Sequence, residues 1–90
     1  MRQLRRPTGV LLQELPDGEA VILHVESGVY LGLDPVGLDI WNTINGADSV
    51  ETAFQSLLDR YEVEPDRLRN DIKSLAQELI DNGLLEDAQK

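Results

Sequence analysis

The chain contains no cysteine, which excludes disulfides and any thiolate metal site. That absence suits a reducing compartment, and a cytoplasmic protein is expected. No apolar run approaches the roughly 18 residues needed to span a bilayer, so no membrane partner is expected. The first nine residues are basic but lack the apolar stretch of a signal peptide. Aromatic residues are few: one Trp, two Tyr and one Phe. Basic residues are scarce beyond Arg2, Arg5 and Arg6. The rest of the chain sets five of them against seventeen acidic residues, a balance of −12 within a net charge of −9. A body this acidic repels phosphate backbones; its charge either serves solubility alone or attracts a cationic peptide or protein face.

Catalytic constellations are missing too. An enzyme needs a nucleophile with a base, a metal site, or paired carboxylates in a pocket. The single histidine, His24, lies in an apolar run and reads as structural. Ser27 reads as a turn residue and Ser49 as a helix cap, while Ser56 and Ser74 fall on helices. The carboxylates are scattered as on a solvated surface. The glycines mark turns and stops, without a phosphate-binding spacing. No catalytic residue, metal ligand or cofactor is therefore assigned.

Present instead is a clear order of elements. Val10–Leu15, Ala20–Val25 and Val29–Leu33 are strand-like runs. Pro16-Asp17-Gly18 and Glu26-Ser27-Gly28 join them as tight turns, which implies an antiparallel meander with the second run in the centre. Asp34 can cap a helix whose first residue is Pro35, and Ile40, Trp41 and Ile44 give that helix an apolar face ending at Gly46. Trp41 on that face reads as core. Ser49 starts a second helix over about 50–60. A third runs over about 65–82, with Leu68, Ile72, Leu75, Ala76, Leu79 and Ile80 as its stripe, and Gly83 closes it so that Leu84 and Leu85 fold back.

Strands first and helices second make an α+β domain: a three-stranded antiparallel sheet followed by three helices. Ninety residues make a single domain, 1–90, with 1–8 and 86–90 expected to be flexible ends. Val29, Leu31 and Leu33 share the strand face that meets the helices. Tyr30 and Gly32 fall on the other, where Tyr30 is either a half-exposed sheet residue or part of a recognition surface.

The third strand lies at the sheet edge without a proline or a charge to protect it. Its unpaired backbone groups, the N–H of Leu31 among them, can template an added strand. The third helix is long enough to wall a groove beside it, with Leu68, Ile72 and Leu75 as an apolar floor. Asp71 falls among them and is the carboxylate placed to meet a cationic residue.

Tyr30, Leu33-Asp34, Gly37, Ile40-Trp41, Asn45-Gly46, Ser49, Tyr61, Asp71-Ile72, Leu75, Leu79 and Gly83-Leu84-Leu85 together resemble the pattern of PqqD-like proteins, over about Val10 to Leu85. Asp34 stands where Asn is common, which leaves capping intact. The resemblance implies a winged-helix-like domain that recognises precursor peptides in the making of ribosomal, post-translationally modified peptides (RiPPs). It implies that the leader of the precursor adds as a strand to the third strand, in the cleft against the third helix. By position, Val29, Tyr30, Leu31, Gly32 and Leu33 correspond to the pairing strand, and Leu68, Asp71, Ile72 and Leu75 to the facing helix. A short, acidic, free-standing copy is similar to the recognition proteins of lasso-peptide pathways, which deliver the precursor to a separate leader peptidase or modifying enzyme. A chaperone of the PQQ precursor is the competing reading within the family. From another class, a winged-helix nucleic-acid binder fits the layout but not the charge. The exposed edge also invites a homodimer when no peptide is bound.

Overall fold

The computed structural model describes residues 3–87. Eight elements follow one another: β1 Leu4–Arg5, β2 Val10–Glu14, β3 Ala20–His24, β4 Tyr30–Leu33, α1 Pro35–Gly46, α2 Val50–Arg60, α3 Pro65–Asp81 and β5 Glu86–Asp87. The three runs read from the sequence are β2, β3 and β4. They form one antiparallel sheet with β3 in the centre.

Turn chemistry sets the register. Gly18 and Gly28 adopt positive φ values of 89° and 77°, where a side chain would be strained. They fix Glu14 opposite Ala20 and Leu23 opposite Tyr30. The inner face then carries Val10, Ala20, Ile22 and Leu33, all buried, with Leu12 and Leu31 packed against them. The outer face carries Leu11 and Tyr30, and Tyr30 is 71% exposed. Parity thus places Leu31 and Leu33 toward the helices, as their spacing predicts.

The helices begin where the sequence places caps. Asp34 accepts the Gly37 N–H at 2.6 Å, and Ser49 accepts the Thr52 N–H at 3.1 Å. Gly46 is the last residue of α1 rather than its stop; Ala47 ends it in extended backbone, its N–H donated to Ile44. At the end of α3, Gly83 takes a φ of 74°, and the Leu84 N–H returns to the Leu79 carbonyl at 2.8 Å. That reversal buries Leu84 and Leu85 in the same core that holds Trp41, Ile44, Leu57 and Leu79. Burying side chains of this size stabilises by about 1.5–3 kcal/mol each.

Two short strands form within the ends that the sequence reading takes as flexible. Leu4–Arg5 pairs antiparallel with Glu86–Asp87, and Arg5 Nε meets Glu86 Oε2 at 2.8 Å. The physical reason is Leu4, 2% exposed, which joins the core and draws its strand in. Residues 1–2 and 88–90 lie outside the described residues.

A polar clamp joins α1 to the end of α2. Asp39 accepts from Arg60 Nη1 at 2.8 Å and from the Tyr61 hydroxyl at 2.6 Å. Arg60 Nη2 also donates to Thr43 Oγ1 at 2.7 Å. The hydrogen bond to Asp39, with some desolvation, raises the Tyr61 hydroxyl above its ordinary pKa.

Candidate functional site

The open edge of β4 follows from hydrogen-bond parity. In an antiparallel pair, opposed residues alternate between exchanging both backbone bonds and exchanging none. The β3–β4 turn starts the alternation, because the His24 N–H donates to the Val29 carbonyl at 2.8 Å. On β4, Leu31 and Leu33 therefore bond to β3 opposite Ile22 and Ala20. Tyr30 and Gly32 occupy the intervening pairs, so their N–H and C=O groups point away from β3. The other hairpin agrees: Leu15 donates to Glu19 at 2.8 Å and Val25 to Gly9 at 3.0 Å, which assigns Val21 and Leu23 to β2 and leaves Ala20 and Ile22 for β4. No described strand pairs with the far side of β4.

This parity corrects one detail of the sequence reading. The N–H of Leu31 belongs to the internal ladder and is not offered at the edge. The donors offered are those of Tyr30 and Gly32. Gly32 is exposed, and a Cβ built on it would meet nothing within 4 Å, so the backbone there is open to close approach.

Beside this edge lies a groove of about 280 Å³, bounded by β4, the first turns of α1 and the middle of α3. Gly32, Leu33, Asp71 and Leu75, four of the residues anticipated from sequence, meet there. Leu31 is half-buried beneath the strand, and Val29 is half-buried just before it. Tyr30 lies on the strand but turns to the outer sheet face. Leu68 and Ile72 do not line the groove. They are 5% and 1% exposed, turned into the core, and Ile72 reaches a different cavity behind α3.

Sequence reasoning missed the α1 side of the groove. Val36, Gly37 and Ile40 line it together with Asp34. Val36 is 49% exposed, an apolar residue in the first helical turn that lies off the buried stripe; that was the available signal. Gly37 lets the turn approach β4 closely, since a Cβ there would stand 3.1 Å from Asp34 Oδ1 and 3.3 Å from Leu33 Cδ2. The groove is apolar at its floor and carries two carboxylates. Asp34 is committed to its cap. Asp71 is 60% exposed at its side chain, with Arg67 Nε only at 3.9 Å, and can receive a cation from a ligand.

His24 Nδ1 accepts the Ser27 N–H at 3.1 Å and lies 3.0 Å from Ser27 Oγ. Ser27 Oγ in turn accepts the Val29 N–H at 3.3 Å. These bonds tie the exposed β3–β4 turn and fix where β4 starts. Among the described residues no group of three or more His, Cys, Asp or Glu could hold a metal ion, and no helix is long and apolar enough to cross a membrane.

The family described as coenzyme PQQ synthesis protein D (PqqD) matches residues 19–85, the span from β3 to the end of the Leu84-Leu85 reversal. Among solved structures, TbiB1 in complex with the TbiA(beta) leader peptide is similar at 27% identity and a TM-score of 0.82, over 96% of this chain and 99% of that one. A lasso peptide synthetase B1 complexed with the leader peptide is similar at 26% identity and a TM-score of 0.81, over 93% of this chain and 98% of that one. No curated protein matches.

Proposed function

Because the chain belongs to the PqqD family, we propose that it binds the leader region of a ribosomally made precursor peptide by strand addition to β4, and that it presents this peptide to a separate processing enzyme. Both similar solved structures carry a leader peptide and one is a lasso peptide synthetase B1, which supports a leader as the ligand; a lasso-peptide leader peptidase is the processing enzyme we assign to it. The role is that of a cytoplasmic adaptor: the chain supplies the binding surface and the partner the chemistry.

Support comes above all from the open edge of β4, with the N–H and C=O groups of Tyr30 and Gly32 turned outward beside an apolar groove. A strand laid there gains about four ladder bonds, worth roughly 0.5–1.5 kcal/mol net each. Micromolar binding needs about 8 kcal/mol, so side chains seated between Leu33, Val36 and Leu75 contribute the remainder. Asp71 then favours a leader with a basic residue near the seated segment. Without peptide, the same edge offers pairing to a second copy, which the added leader would displace.

The test is a titration of the chain with its cognate leader, read by fluorescence anisotropy and by backbone amide shifts. Saturable binding with shifts along β4 and at Asp71 and Leu75 is expected. A leader that fails to bind, or that binds without disturbing β4, would overturn the proposal.

A further inference from the structure

A second cavity, of about 390 Å³, lies behind α3, on the side away from the β4 groove. Its floor is apolar: Leu4 of β1, Phe54 of α2, and Ile72 and Ala76 of α3. One wall is a row of Arg69, Lys73 and Gln77, four residues apart on α3 and so stacked along one ridge. Arg69 lies over the Phe54 ring at 4.1 Å and pairs with Glu51 on the opposite rim at 3.0 Å. That pairing lowers the Glu51 carboxyl below its ordinary pKa, so the one acidic group on the rim is already matched. Lys73 makes no ion pair within 4 Å among the described residues, and its charge adds to the field on Glu51. In a chain of net charge −9, this wall is a local cationic stripe over an apolar floor.

We infer that this cavity docks a segment of a partner protein that carries one large apolar side chain flanked by carboxylates. The apolar residue fills the space over Phe54, Ile72 and Ala76, and the carboxylates meet Lys73 and the outer face of Arg69, while the Gln77 amide is given to Asp81 at 2.8 Å and marks the end of the cationic stretch. Charge complementarity selects this occupant. Acidic segments are repelled by the rest of the surface and accepted along this stripe. The β4 groove has the opposite preference, because Asp34 and Asp71 face it. Helix α3 thus separates two grooves of opposite sign that can be filled together. The inference goes beyond leader binding and does not depend on it.

The probe is a short blocked peptide, acetyl-Glu-Glu-Phe-Glu-Glu-amide, compared with its lysine counterpart acetyl-Lys-Lys-Phe-Lys-Lys-amide. Each is titrated into the whole chain and followed by amide and methyl shifts. The acidic peptide is expected to shift Val50, Phe54, Lys73 and Ala76. Lys73 is exposed and can be replaced without touching the core. Lys73→Glu should weaken the acidic peptide roughly three- to ten-fold, with Lys73→Arg restoring it. Equal binding of the lysine peptide, shifts confined to the β4 groove, or unchanged affinity in folded Lys73→Glu would overturn the inference.

Discussion

Replacing Gly32 by proline should disable the β4 edge while leaving the sheet intact. The Gly32 N–H points away from β3, so its loss breaks no internal ladder bond. Proline is tolerated at such an edge position, and the site is open, with nothing within 4 Å of an added Cβ. A bound leader, however, loses one backbone donor and is left with an unsatisfied carbonyl against the pyrrolidine ring. That loss is worth about 1–3 kcal/mol, or roughly 5- to 150-fold in Kd. Gly32→Ala is the control: it keeps the N–H and should bind within about two-fold of the original, as a surface change normally does. Leu31→Pro is the contrasting variant. It removes a bond to β3 opposite Ile22 and leaves a buried acceptor unpaired, so it should lose about 1–3 kcal/mol of stability. Circular dichroism melts check the folds, and fluorescence anisotropy with the cognate leader measures the affinities. A folded Gly32→Pro variant that binds as tightly as Gly32→Ala refutes the assignment of the edge donors.

Trp41 is 2% exposed in the core, and Trp41→Ala should destabilise by about 3–5 kcal/mol in a denaturant melt. Asp71→Asn should weaken leader binding at low salt by roughly 0.2–1 kcal/mol and make no difference at high salt; equal affinities under all four conditions would show that recognition is apolar and backbone-driven. Tyr61→Phe removes the 2.6 Å bond to Asp39 and should lower stability by roughly 1–2 kcal/mol. The folded chain holds the Tyr61 proton more tightly than the unfolded one, so this contribution is complete below pH about 10 and is lost as pH rises through the raised folded value. An alkaline melt series should show that loss in the original chain and not in Tyr61→Phe.

Much of the fold was legible because local signals agree with the long-range arrangement. Pro16-Asp17-Gly18 and the glycine at 28 fix both hairpins, Asp34-Pro35 and Ser49 start two helices, and Gly83 turns Leu84 and Leu85 into the core. The pairing of Leu4–Arg5 with Glu86–Asp87 was not legible. Two residues carry no periodicity, and the partners are separated by nearly the whole chain. The site was legible in part. Leu68, Asp71, Ile72 and Leu75 share one helical stripe, but the stripe is broader than the groove. Only the rotation of α3 about its axis decides that Asp71 and Leu75 border the groove while Leu68 and Ile72 enter the core. Likewise, strand periodicity gives the faces of β4 but not which of its amides point outward. That depends on the bond between His24 and Val29 at the turn.

Amide hydrogen exchange, with and without the cognate leader, reads those outward groups one by one. The amides of Leu31 and Leu33 should be protected already in the free chain, because they bond to β3. Those of Tyr30 and Gly32 should exchange fast in the free chain and become protected when the leader is added. Saturating leader that leaves Tyr30 and Gly32 unprotected, or protects the outer sheet face or the α2–α3 cavity instead, would contradict strand addition at β4.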